Sequence, residues 1–434
     1  MRRVLPVLTT ASEMERAALR GASERSTVLE PPRESDAAYR PIYAVWEITL
    51  RCDLACAHCG SRAGKSRPDE LTTEEALDLV DQLAGLGIRE VSLIGGEAYL
   101  RPDWLDIARR VKERGMLCGV VTGGRGLTLE RARAAKDAGV DGVSVSIDGL
   151  EASHDALRGV QGSFEQALAA LEHLATVDLS RAVNTQINRV NSSEVEAVFD
   201  LVSARGIYAW QVQFTVAMGR AADNPAILLE PYDLLELMPR LAELERRARE
   251  LGIKLWPGNN VGYFGPFESV FRRNNEGSYH EPCTAGRSTL GLEANGDIKG
   301  CPSLPTRGYA GGNIRDASLK DIWERSAALR FARDRDASEL WGRCASCYYK
   351  DECLAGCSWT AHVLFGKRGN NPFCHHRALE LLLEGKRERL VRVHPPPGAP
   401  FDYGQFELVE EDWPADELSA VRELVRRTSP GAID

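Results

Sequence analysis

Short apolar runs alternate with amphipathic stretches along the first half of the chain. The runs are rich in β-branched and aromatic residues, which predicts strands, and the apolar residues between them recur at helical spacing. The six predicted strands are YAVWEITL (43–50), EVSLIG (90–95), LCGVVTG (117–123), GVSVSID (142–148), AVNTQIN (182–188) and YAWQVQF (208–214). Strands that alternate with helices form βαβ units and a parallel sheet. Because six units are fewer than a closed eight-fold barrel needs, the pattern predicts an α/β fold with an open, TIM-like (β/α)6 partial barrel. Its ligands should bind at the carboxyl ends of the strands.

The first crossover helix illustrates how the sequence specifies one such unit. Thr72 and Glu75 form a predicted capping box at its start. Leu77, Val80 and Ala84 follow at helical spacing, so we expect these three residues to cover one face of the sheet.

The pattern changes after the predicted barrel. Residues 231–252 predict one long amphipathic helix, and beyond it Gly, Pro and Asn become frequent between 256 and 315. Most of the cysteines lie past this change, which indicates a second domain whose order depends on metal. The tail has a Pro-rich break, HPPPGAP, and a predicted last helix near PADELSAVRELVRR. We divide the chain into an N-terminal extension (1–39), the partial barrel (40–252), a bridging segment (253–282), a small cysteine-rich domain (283–376) and a helical C-terminal tail (377–434).

Composition excludes several classes of protein. The 434 residues are 43% hydrophobic, enough for a large core, and the net charge of −9 is interspersed, so we expect no nucleic-acid partner. The N-terminal apolar run is too short for a secretory signal, and no stretch reaches the length of a membrane span. We therefore expect no membrane association and a cytoplasmic location. In a reducing compartment, eleven cysteines in short C-x2-C and C-x3-C arrangements indicate metal ligands rather than disulfides.

Three cysteines fall within eight residues directly after the first strand, in the segment CDLACAHC. Cys52, Cys56 and Cys59 converge at the end of the barrel where ligands bind. A tetrahedral zinc site needs a fourth ligand, which His58 could supply. A [4Fe-4S] cluster with one iron free of protein explains three thiolates better, because that iron can bind a substrate or cofactor directly.

This triplet, placed after the first strand of a partial barrel, resembles the radical S-adenosylmethionine (SAM) enzymes. The resemblance implies that the amine and carboxylate of SAM chelate the free iron, and that an electron from the cluster cleaves SAM. The resulting 5′-deoxyadenosyl radical then abstracts a hydrogen atom from the substrate. The segment GGEAYL after the second strand is similar to the family's GGEPxL. By that resemblance Gly95 and Gly96 let the backbone approach SAM and Glu97 binds its amine, while Ala98 stands where the family has proline.

Further SAM contacts are implied by the same resemblance. The segment SVSID resembles the family's ribose-binding segment, so the implied ribose ligands are Ser144, Ser146 and Asp148. The implied contacts to SAM or substrate on the next strand are Gln186 and Asn188.

Three positions beside these segments also bear on the resemblance. His58 stands where relatives place an aromatic or histidine side chain near adenine. Gly123 stands where an asparagine often follows Thr122. Cys118, on the third strand, is expected to be a small core residue rather than a metal ligand.

Seven cysteines remain in the second half of the chain. A zinc ribbon would explain one C-x2-C pair, but seven thiolates exceed one tetrahedral site. Their spacing resembles the SPASM domain, which carries two auxiliary [4Fe-4S] clusters, so that three clusters are expected in all. The implied ligands are Cys283, Cys301 and Cys357 for the first auxiliary cluster and Cys344, Cys347, Cys353 and Cys374 for the second. The first cluster then either keeps an open iron or takes a non-cysteine ligand, for which His280 and Glu281 are candidates by proximity.

SPASM-containing relatives mainly oxidise or cross-link residues in peptides and proteins. The resemblance therefore implies a maturase of a ribosomally made precursor peptide, acting by cross-linking, oxidation or backbone cleavage, with a flavodoxin- or ferredoxin-type electron donor. The sulfatase-maturating subgroup has an acidic residue after the cysteine matched by Cys301, where this chain has Pro302. Because only about forty residues precede the first strand, too few for a leader-binding domain, we expect a separate leader-binding protein.

Two alternatives stay open. A radical SAM enzyme of cofactor or natural-product biosynthesis, acting on a tetrapyrrole or a sugar, would have the same cysteines. A zinc-binding scaffold protein would have no catalytic cofactor.

Overall fold

The structure is a computed structural model that describes residues 3–4, 27–272, 283–429 and 431–432. His280 and Glu281 lie outside the described residues. The strands are β1 (Arg3–Val4), β2 (Tyr43–Glu47), β3 (Glu90–Ile94), β4 (Leu117–Thr122), β5 (Gly142–Ser146), β6 (Ser180–Ile187), β7 (Ala209–Phe214), β8 (Lys254–Pro257), β9 (Thr289–Leu292), β10 (Asp297–Lys299), β11 (Ala310–Asn313), β12 (Lys386–His394) and β13 (Gln405–Asp412). The α-helices are α1 (Thr73–Leu86), α2 (Trp104–Glu113), α3 (Leu129–Asp137), α4 (Glu151–Arg158), α5 (Ser163–Thr176), α6 (Val195–Ser203), α7 (Arg220–Asp223), α8 (Leu234–Glu250), α9 (Glu268–Phe271), α10 (Leu319–Arg325), α11 (Arg343–Ser346), α12 (Lys350–Cys353), α13 (Ser358–Phe365), α14 (His375–Leu383) and α15 (Ala415–Thr428).

Strands β2 to β8 form the partial barrel. They are neighbours in chain order, and each pair is parallel. All six predicted strands are present, and the α/β partial-barrel prediction is confirmed. β8 is a seventh strand that the sequence analysis placed in the bridging segment. It is only four residues long and ends at Pro257, so it lacks the alternating run that marks the other strands.

The cysteine-rich region continues the same sheet. β9 pairs in parallel with β2, and β10 and β11 follow as antiparallel neighbours, which gives the order β11-β10-β9-β2-β3-β4-β5-β6-β7-β8. The carboxyl ends of β2 and β9 therefore lie at the same edge of the sheet. This edge carries the cysteine triplet after β2.

Side chains of the barrel strands alternate between two faces. On β7, Trp210 is fully buried and packs against Phe199 of α6, with ring centroids 5.5 Å apart, so its face of the sheet points outward to the helices. Gln211 and Gln213 point the other way, into the inner face of the barrel, and are only partly buried. We call this inner face the lumen. On β5 and β6 the same alternation directs the partly buried residues into the lumen, namely Ser144, Ser146, Asn184 and Gln186.

Helix α1 begins with the predicted capping box. The Thr72 side chain accepts from the Glu75 backbone, and the Glu75 side chain accepts from the Thr72 backbone. The predicted apolar stripe is only partly right, because Val80 is buried whereas Leu77 and Ala84 are partly exposed. The residues that cover the sheet are Ala76, Leu79, Val80 and Leu83.

The C-terminal region is a hairpin followed by a helix. The predicted long helix is present as α8, 17 residues long, and the predicted last helix as α15. Strands β12 and β13 were not predicted, so the tail is not only helical. Their sequence, with KRERLVRVH in β12, is dominated by charged residues, and the Pro-rich stretch becomes the tip of the hairpin. Among the described residues, no helix has both the length and the apolar run that crossing a membrane requires.

Candidate active site

The cysteine triplet lies in a loop that is fixed by backbone hydrogen bonds. The Cys52 backbone N–H donates to Gly64 at 3.0 Å, and the Ala57 N–H donates to Leu157 at 2.7 Å. Arg220, at the start of α7, donates from Nε to the Cys56 carbonyl at 2.7 Å. The loop is therefore held from both sides of the barrel mouth before any cofactor binds.

The three thiols are close enough to influence one another. Burial raises the pKa of the Cys52 thiol to about 12, and the neighbouring Cys56 and Cys59 act in the same direction. Burial also raises the pKa of Cys56. Thiols of this kind bind a metal only with loss of their protons, so metal binding here would be coupled to proton release.

The two glycines of GGEAYL allow the loop after β3 to contact the loop that carries the cysteine triplet. The backbone N–H of Gly96 donates to Thr49 at 2.8 Å, and that of Glu97 donates to Arg51 at 2.8 Å. A Cβ atom on Gly96 would lie 2.3 Å from the Arg51 carbonyl oxygen and 2.7 Å from the Cβ atom of Cys52. Only glycine fits at this contact. A Cβ on Gly95 would meet the Thr49 carbonyl oxygen in the same way.

Glu97 is buried beside the first cysteine. Its carboxylate accepts from the Thr122 hydroxyl at 2.6 Å and from the Gly123 backbone N–H at 2.5 Å. Burial raises its pKa to about 7, against these two hydrogen bonds. Ligand atoms of Cys52, Asp53 and Glu97 lie within 4.8 Å of one another. The Glu97 carboxyl group is therefore held in a fixed position next to the first cysteine of the triplet.

The departure at Gly123 has a steric reason. A Cβ atom there would lie 2.3 Å from Cδ1 of Leu54 and 2.7 Å from Oε1 of Glu97. An asparagine at this position would displace one of these two side chains. With glycine there, the backbone N–H of Gly123 donates a hydrogen bond directly to Oε1 of Glu97.

Asp148 lies at the centre of a buried charge network. Its Oδ2 atom is 2.9 Å from Nε2 of His58 and 2.5 Å from Nη2 of Arg158, and its Oδ1 atom accepts from the Gln186 backbone N–H at 2.8 Å. Burial opposes ionisation of Asp148, but Arg158 and His58 outweigh it and lower its pKa. Nη1 of Arg158 lies 3.7 Å from Sγ of Cys56. Both His58 and Asp148 thus face this network rather than the lumen.

The remaining predicted SAM contacts separate into two groups. Ser144, Ser146 and Gln186 point into the lumen, and the hydroxyl of Ser144 has no hydrogen-bond partner among the described residues. Asn188 is fully buried instead, with its amide 3.2 Å from the Thr215 hydroxyl and its carbonyl accepting from the Val190 N–H at 3.0 Å. Asn188 therefore shapes the turn after β6 from within the core.

Two residues of this site were not predicted, Arg158 and Arg220. Arg158 lies in the SHDALRG segment, and its sequence signal was an arginine on the buried face of α4 beside the ribose segment. Arg220 had no such signal, because its contacts join loops far apart in sequence. Cys118, in contrast, is fully buried in the core, as predicted.

The three cysteines predicted for the first auxiliary cluster lie close to one another, namely Cys283, Cys301 and Cys357. Burial raises the pKa of the Cys301 thiol to about 12, with Cys283 and Cys357 adding to the effect. Cys357 packs near Tyr263, whose ring would be 2.4 Å from a Cβ atom on Gly356. The close approach of Gly356 brings the Cys357 backbone against this ring.

The other four cysteines line one cavity. The cavity is open to solvent on one side. It is bounded by Cys344, Cys347, Cys353 and Cys374, together with Tyr349 and Arg377. Arg377 is buried and paired with Glu388 at 2.6 Å. Four thiols that line one cavity are a donor set that suits a four-iron cluster.

A methionine and a tryptophan connect the two halves of the site. Met218, in the loop after β7, lies against the cysteine triplet, because a Cβ atom on Gly60 would be 3.7 Å from its Sδ atom. Nε1 of Trp359, two residues after Cys357, donates to the same sulfur at 3.0 Å. Trp359, Cys283 and Cys301 all pack against one apolar cluster, which contains Tyr309. Met218 and Trp359 therefore link the loop of the triplet to the region that carries the first auxiliary cysteines.

Comparison with known proteins agrees with this arrangement. The Radical SAM superfamily matches residues 46–202, and the SPASM iron-sulfur cluster-binding domain matches residues 283–348. The AdoMet-dependent heme synthase of Methanosarcina barkeri is 32% identical and covers 78% of this chain and 97% of its own length. The chain belongs to the radical SAM superfamily. This radical SAM enzyme is also similar to the mycofactocin maturase MftC of Mycobacterium tuberculosis, at 29% identity over 73% of this chain and 78% of the relative.

A solved structure supports the fold. The crystal structure of Streptococcus suis SuiB bound to S-adenosylmethionine superposes with a TM-score of 0.60 at 15% identity, over 77% of this chain and 76% of that chain. The predictions of a radical SAM enzyme with a SPASM domain, and of [4Fe-4S] clusters and SAM as its cofactors, are confirmed. A zinc-binding scaffold is thereby excluded. The three converging thiols and the four thiols around one cavity are a donor set that fits such clusters.

Proposed function

We propose that this radical SAM enzyme modifies a ribosomally made precursor peptide, starting with removal of a hydrogen atom from the peptide. The bound cluster and SAM supply the radical that removes it. Cys52, Cys56 and Cys59 would hold the SAM cluster, and Glu97 would bind the SAM ammonium through a charge-assisted hydrogen bond. The seven SPASM cysteines would hold two auxiliary clusters.

The side chains that line the lumen support a peptide substrate. From β4 to β7, the side chains that face the lumen toward the carboxyl ends of the strands are uncharged, and five of them are carboxamides or hydroxyls in adjacent rows. Ser146, Asn184 and Gln211 are register partners across three strands, and Gln186 pairs with Gln213 one row further. A carboxamide offers one acceptor and two donors, which matches the alternating C=O and N–H groups of a peptide backbone. A ligand rich in carboxylates would need cations there instead.

These carboxamides are free to bind. The side chains of Asn184, Gln211 and Gln213 make no hydrogen bond to another residue of the described chain, and they are only partly buried. Partly buried amides without partners are satisfied by water or by a ligand. Their position below the cysteine triplet would hold a peptide within reach of the SAM site.

A second candidate is a tetrapyrrole substrate. Its support is the 32% identity to a heme synthase over 97% of that relative's length. The alternatives differ in what the lumen must recognise: backbone amides for a peptide, or propionate carboxylates for a tetrapyrrole.

The deciding experiment gives the reconstituted enzyme both substrates. Small peptides encoded beside the gene and a propionate-bearing tetrapyrrole precursor of heme are each incubated with SAM and dithionite, and products are followed by mass spectrometry. We expect a mass change in one peptide and none in the tetrapyrrole. Conversion of the tetrapyrrole alone would overturn the peptide proposal and establish the second candidate.

A matched pair of variants tests the lumen itself. Gln213→Leu should raise the KM for the peptide while leaving SAM binding unchanged, since the lost hydrogen bonds go to the peptide. Gln166→Leu, on the exposed surface of α5, is the control and should behave as wild type. An unchanged KM in Gln213→Leu would mean that the carboxamides do not take part in substrate recognition.

An external flavodoxin or ferredoxin as electron donor and a separate leader-binding protein belong to the same proposal.

A further inference from the structure

The hairpin of β12 and β13 ends in ten residues, PPPGAPFDYG, which we call the hairpin tip (395–404). The tip lies between the loop that carries the cysteine triplet and the region that carries the first auxiliary cysteines. It contacts both sides through separate residues. Neither the radical SAM match at 46–202 nor the SPASM match at 283–348 includes it.

On the barrel side, the tip is fastened close to Cys59. Nε of Arg62, three residues after Cys59, donates to Oδ1 of Asp402 at 2.6 Å. The Gly219 backbone N–H donates to the Asp402 carbonyl at 2.8 Å. Gly219 itself lies against the cysteine loop, because a Cβ atom there would be 2.4 Å from the Cys59 carbonyl oxygen. Asp402 is thus tied to the loop by its side chain and its backbone.

On the auxiliary side, two aromatic residues of the tip make the contacts. The ring of Phe401 is 4.1 Å from Nζ of Lys299, two residues before Cys301. The ring of Tyr403 is 5.1 Å from that of His362, five residues after Cys357. Phe401 also packs in the apolar group that contains Met218 and Val363.

Phe401 reaches the mouth of the lumen. The guanidinium of Arg67 lies over its ring at 5.6 Å, and Nε of Arg67 donates to Oε1 of Glu47 at 3.0 Å. Glu47 is the last residue of β2. The ring therefore covers the ion pair at the top of the first barrel strand.

The tip is fixed rather than loosely placed. Phe401 has φ of 57°, a left-handed conformation that is unfavourable for a bulky side chain, yet only 9% of the residue is exposed. The Asp402 carboxylate also accepts from the Ala399 N–H at 3.0 Å, which closes the tip on itself. Strain of this kind persists only where surrounding contacts hold it.

We propose that the hairpin tip is the outer wall of the substrate chamber, by which we mean the lumen and its mouth, and that Phe401 limits the entry of solutes into it. The tip joins the two cysteine-bearing regions along one side and closes that side to water. Exclusion of water protects reactive intermediates from side reactions. This inference holds for a peptide or a tetrapyrrole, so it does not rest on the substrate proposed above.

The test measures access to the SAM cluster in the reconstituted holoenzyme. An anionic iron chelator, bathophenanthroline disulfonate, is added anaerobically, and loss of the SAM-responsive EPR signal is followed with time. Three variants are compared with wild type. They are Phe401→Ala, Phe401→Leu, and a variant in which Asn-Gly replaces residues 395–404, a turn that suits a two-residue hairpin. Val393→Ala, an exposed residue on the same hairpin, is the matched control.

We expect the Phe401→Ala and Asn-Gly variants to lose the signal roughly tenfold faster, because chelator and water reach the chamber through the opened wall. Phe401→Leu, which keeps an apolar side chain of similar bulk, and Val393→Ala should match wild type. Wild-type rates in a folded Phe401→Ala protein with full iron content would overturn the proposal. If the Asn-Gly variant loses its circular dichroism signal, the Phe401→Ala and Phe401→Leu pair decides alone. The test needs no substrate, so its failure is distinct from failure of the peptide proposal.

Discussion

Nη1 of Arg158 lies 3.7 Å from Sγ of Cys56, while Nη2 of the same guanidinium is 2.5 Å from the Asp148 carboxylate. A buried cation is therefore held against one cysteine of the triplet by a buried anion, which is in turn 2.9 Å from His58. A positive charge beside a thiolate favours the more negative, reduced form of a cluster. Hydrogen bonds to sulfur and local charge are among the factors that set cluster potentials.

Replacing Arg158 should lower the midpoint potential of the SAM cluster. We expect Arg158→Met to shift it on the order of 60 mV more negative, equivalent to a tenfold change in a one-electron equilibrium, and Arg158→Lys to shift it less. Redox titration followed by EPR, without SAM, measures the shift. Arg240→Met, which removes an arginine paired with Glu196 between outer helices, should leave the potential unchanged. Equal potentials in all four proteins would mean that Arg158 serves only the structure.

Glu97→Gln should weaken SAM binding while all clusters remain. In the proposed role, the carboxylate that would face the SAM ammonium becomes a neutral amide, so a charge-assisted hydrogen bond is replaced by an ordinary one, at a cost on the order of 1 kcal/mol or more. The Kd for SAM by equilibrium binding measures this, with iron content as the control. An unchanged Kd would remove Glu97 from the SAM site.

Gly96→Ala should disturb the SAM cluster alone. The new Cβ would overlap the Arg51 carbonyl and the Cys52 side chain, so the cysteine loop must move. We expect loss of about a third of the iron, the share of one cluster in three, with the SPASM clusters retained. Gly85→Ala is the matched control: it lies in α1 with no atom within 4 Å, and should be stabilising by roughly 0.5–1 kcal/mol. A wild-type iron content in Gly96→Ala would show that the two loops can move apart without loss of the SAM cluster.

Cys357→Ala should disrupt the first auxiliary cluster and spare SAM cleavage. The variant should still form 5′-deoxyadenosine with dithionite, because the triplet is carried by a different loop, yet fail to convert substrate. The Cys52→Ala/Cys56→Ala/Cys59→Ala variant should show the reverse loss, with no SAM cleavage. Circular dichroism must accompany both, since a metal-organised region can unfold when a ligand is lost. Normal product formation by a folded Cys357→Ala protein would make this cluster structural.

The sequence allowed the barrel and most of the cysteine chemistry to be predicted, because both depend on local patterns. Strand alternation, the capping box at Thr72 and the C-x3-C-x2-C spacing are each contained within a few residues. Arg220 was missed because its contacts join loops that are far apart in sequence. Arg158 was missed because the motif does not show that its guanidinium is buried against Cys56 and Asp148. Asp148 illustrates the same limit: its place in the motif was visible, but not the burial that directs it to His58 and Arg158.

The hairpin was missed for a different reason. Its strands are charged on the outside and bury few residues, among them Phe406 and Leu408, so the apolar alternation is weak over β12. Three consecutive prolines suggested an interruption of the chain rather than a tip between paired strands.

The parallel pairing of β9 with β2 also limits how such enzymes can be recombined. Tyr43 is paired with Thr289, and Trp46 with Leu292, so the auxiliary-cluster region shares backbone hydrogen bonds with the strand that precedes the triplet. A SPASM segment grafted from a relative would have to reproduce this four-residue register, or its clusters would be displaced from the SAM site. Chimeras joined within the loop after β9 should therefore tolerate exchange better than chimeras joined before it.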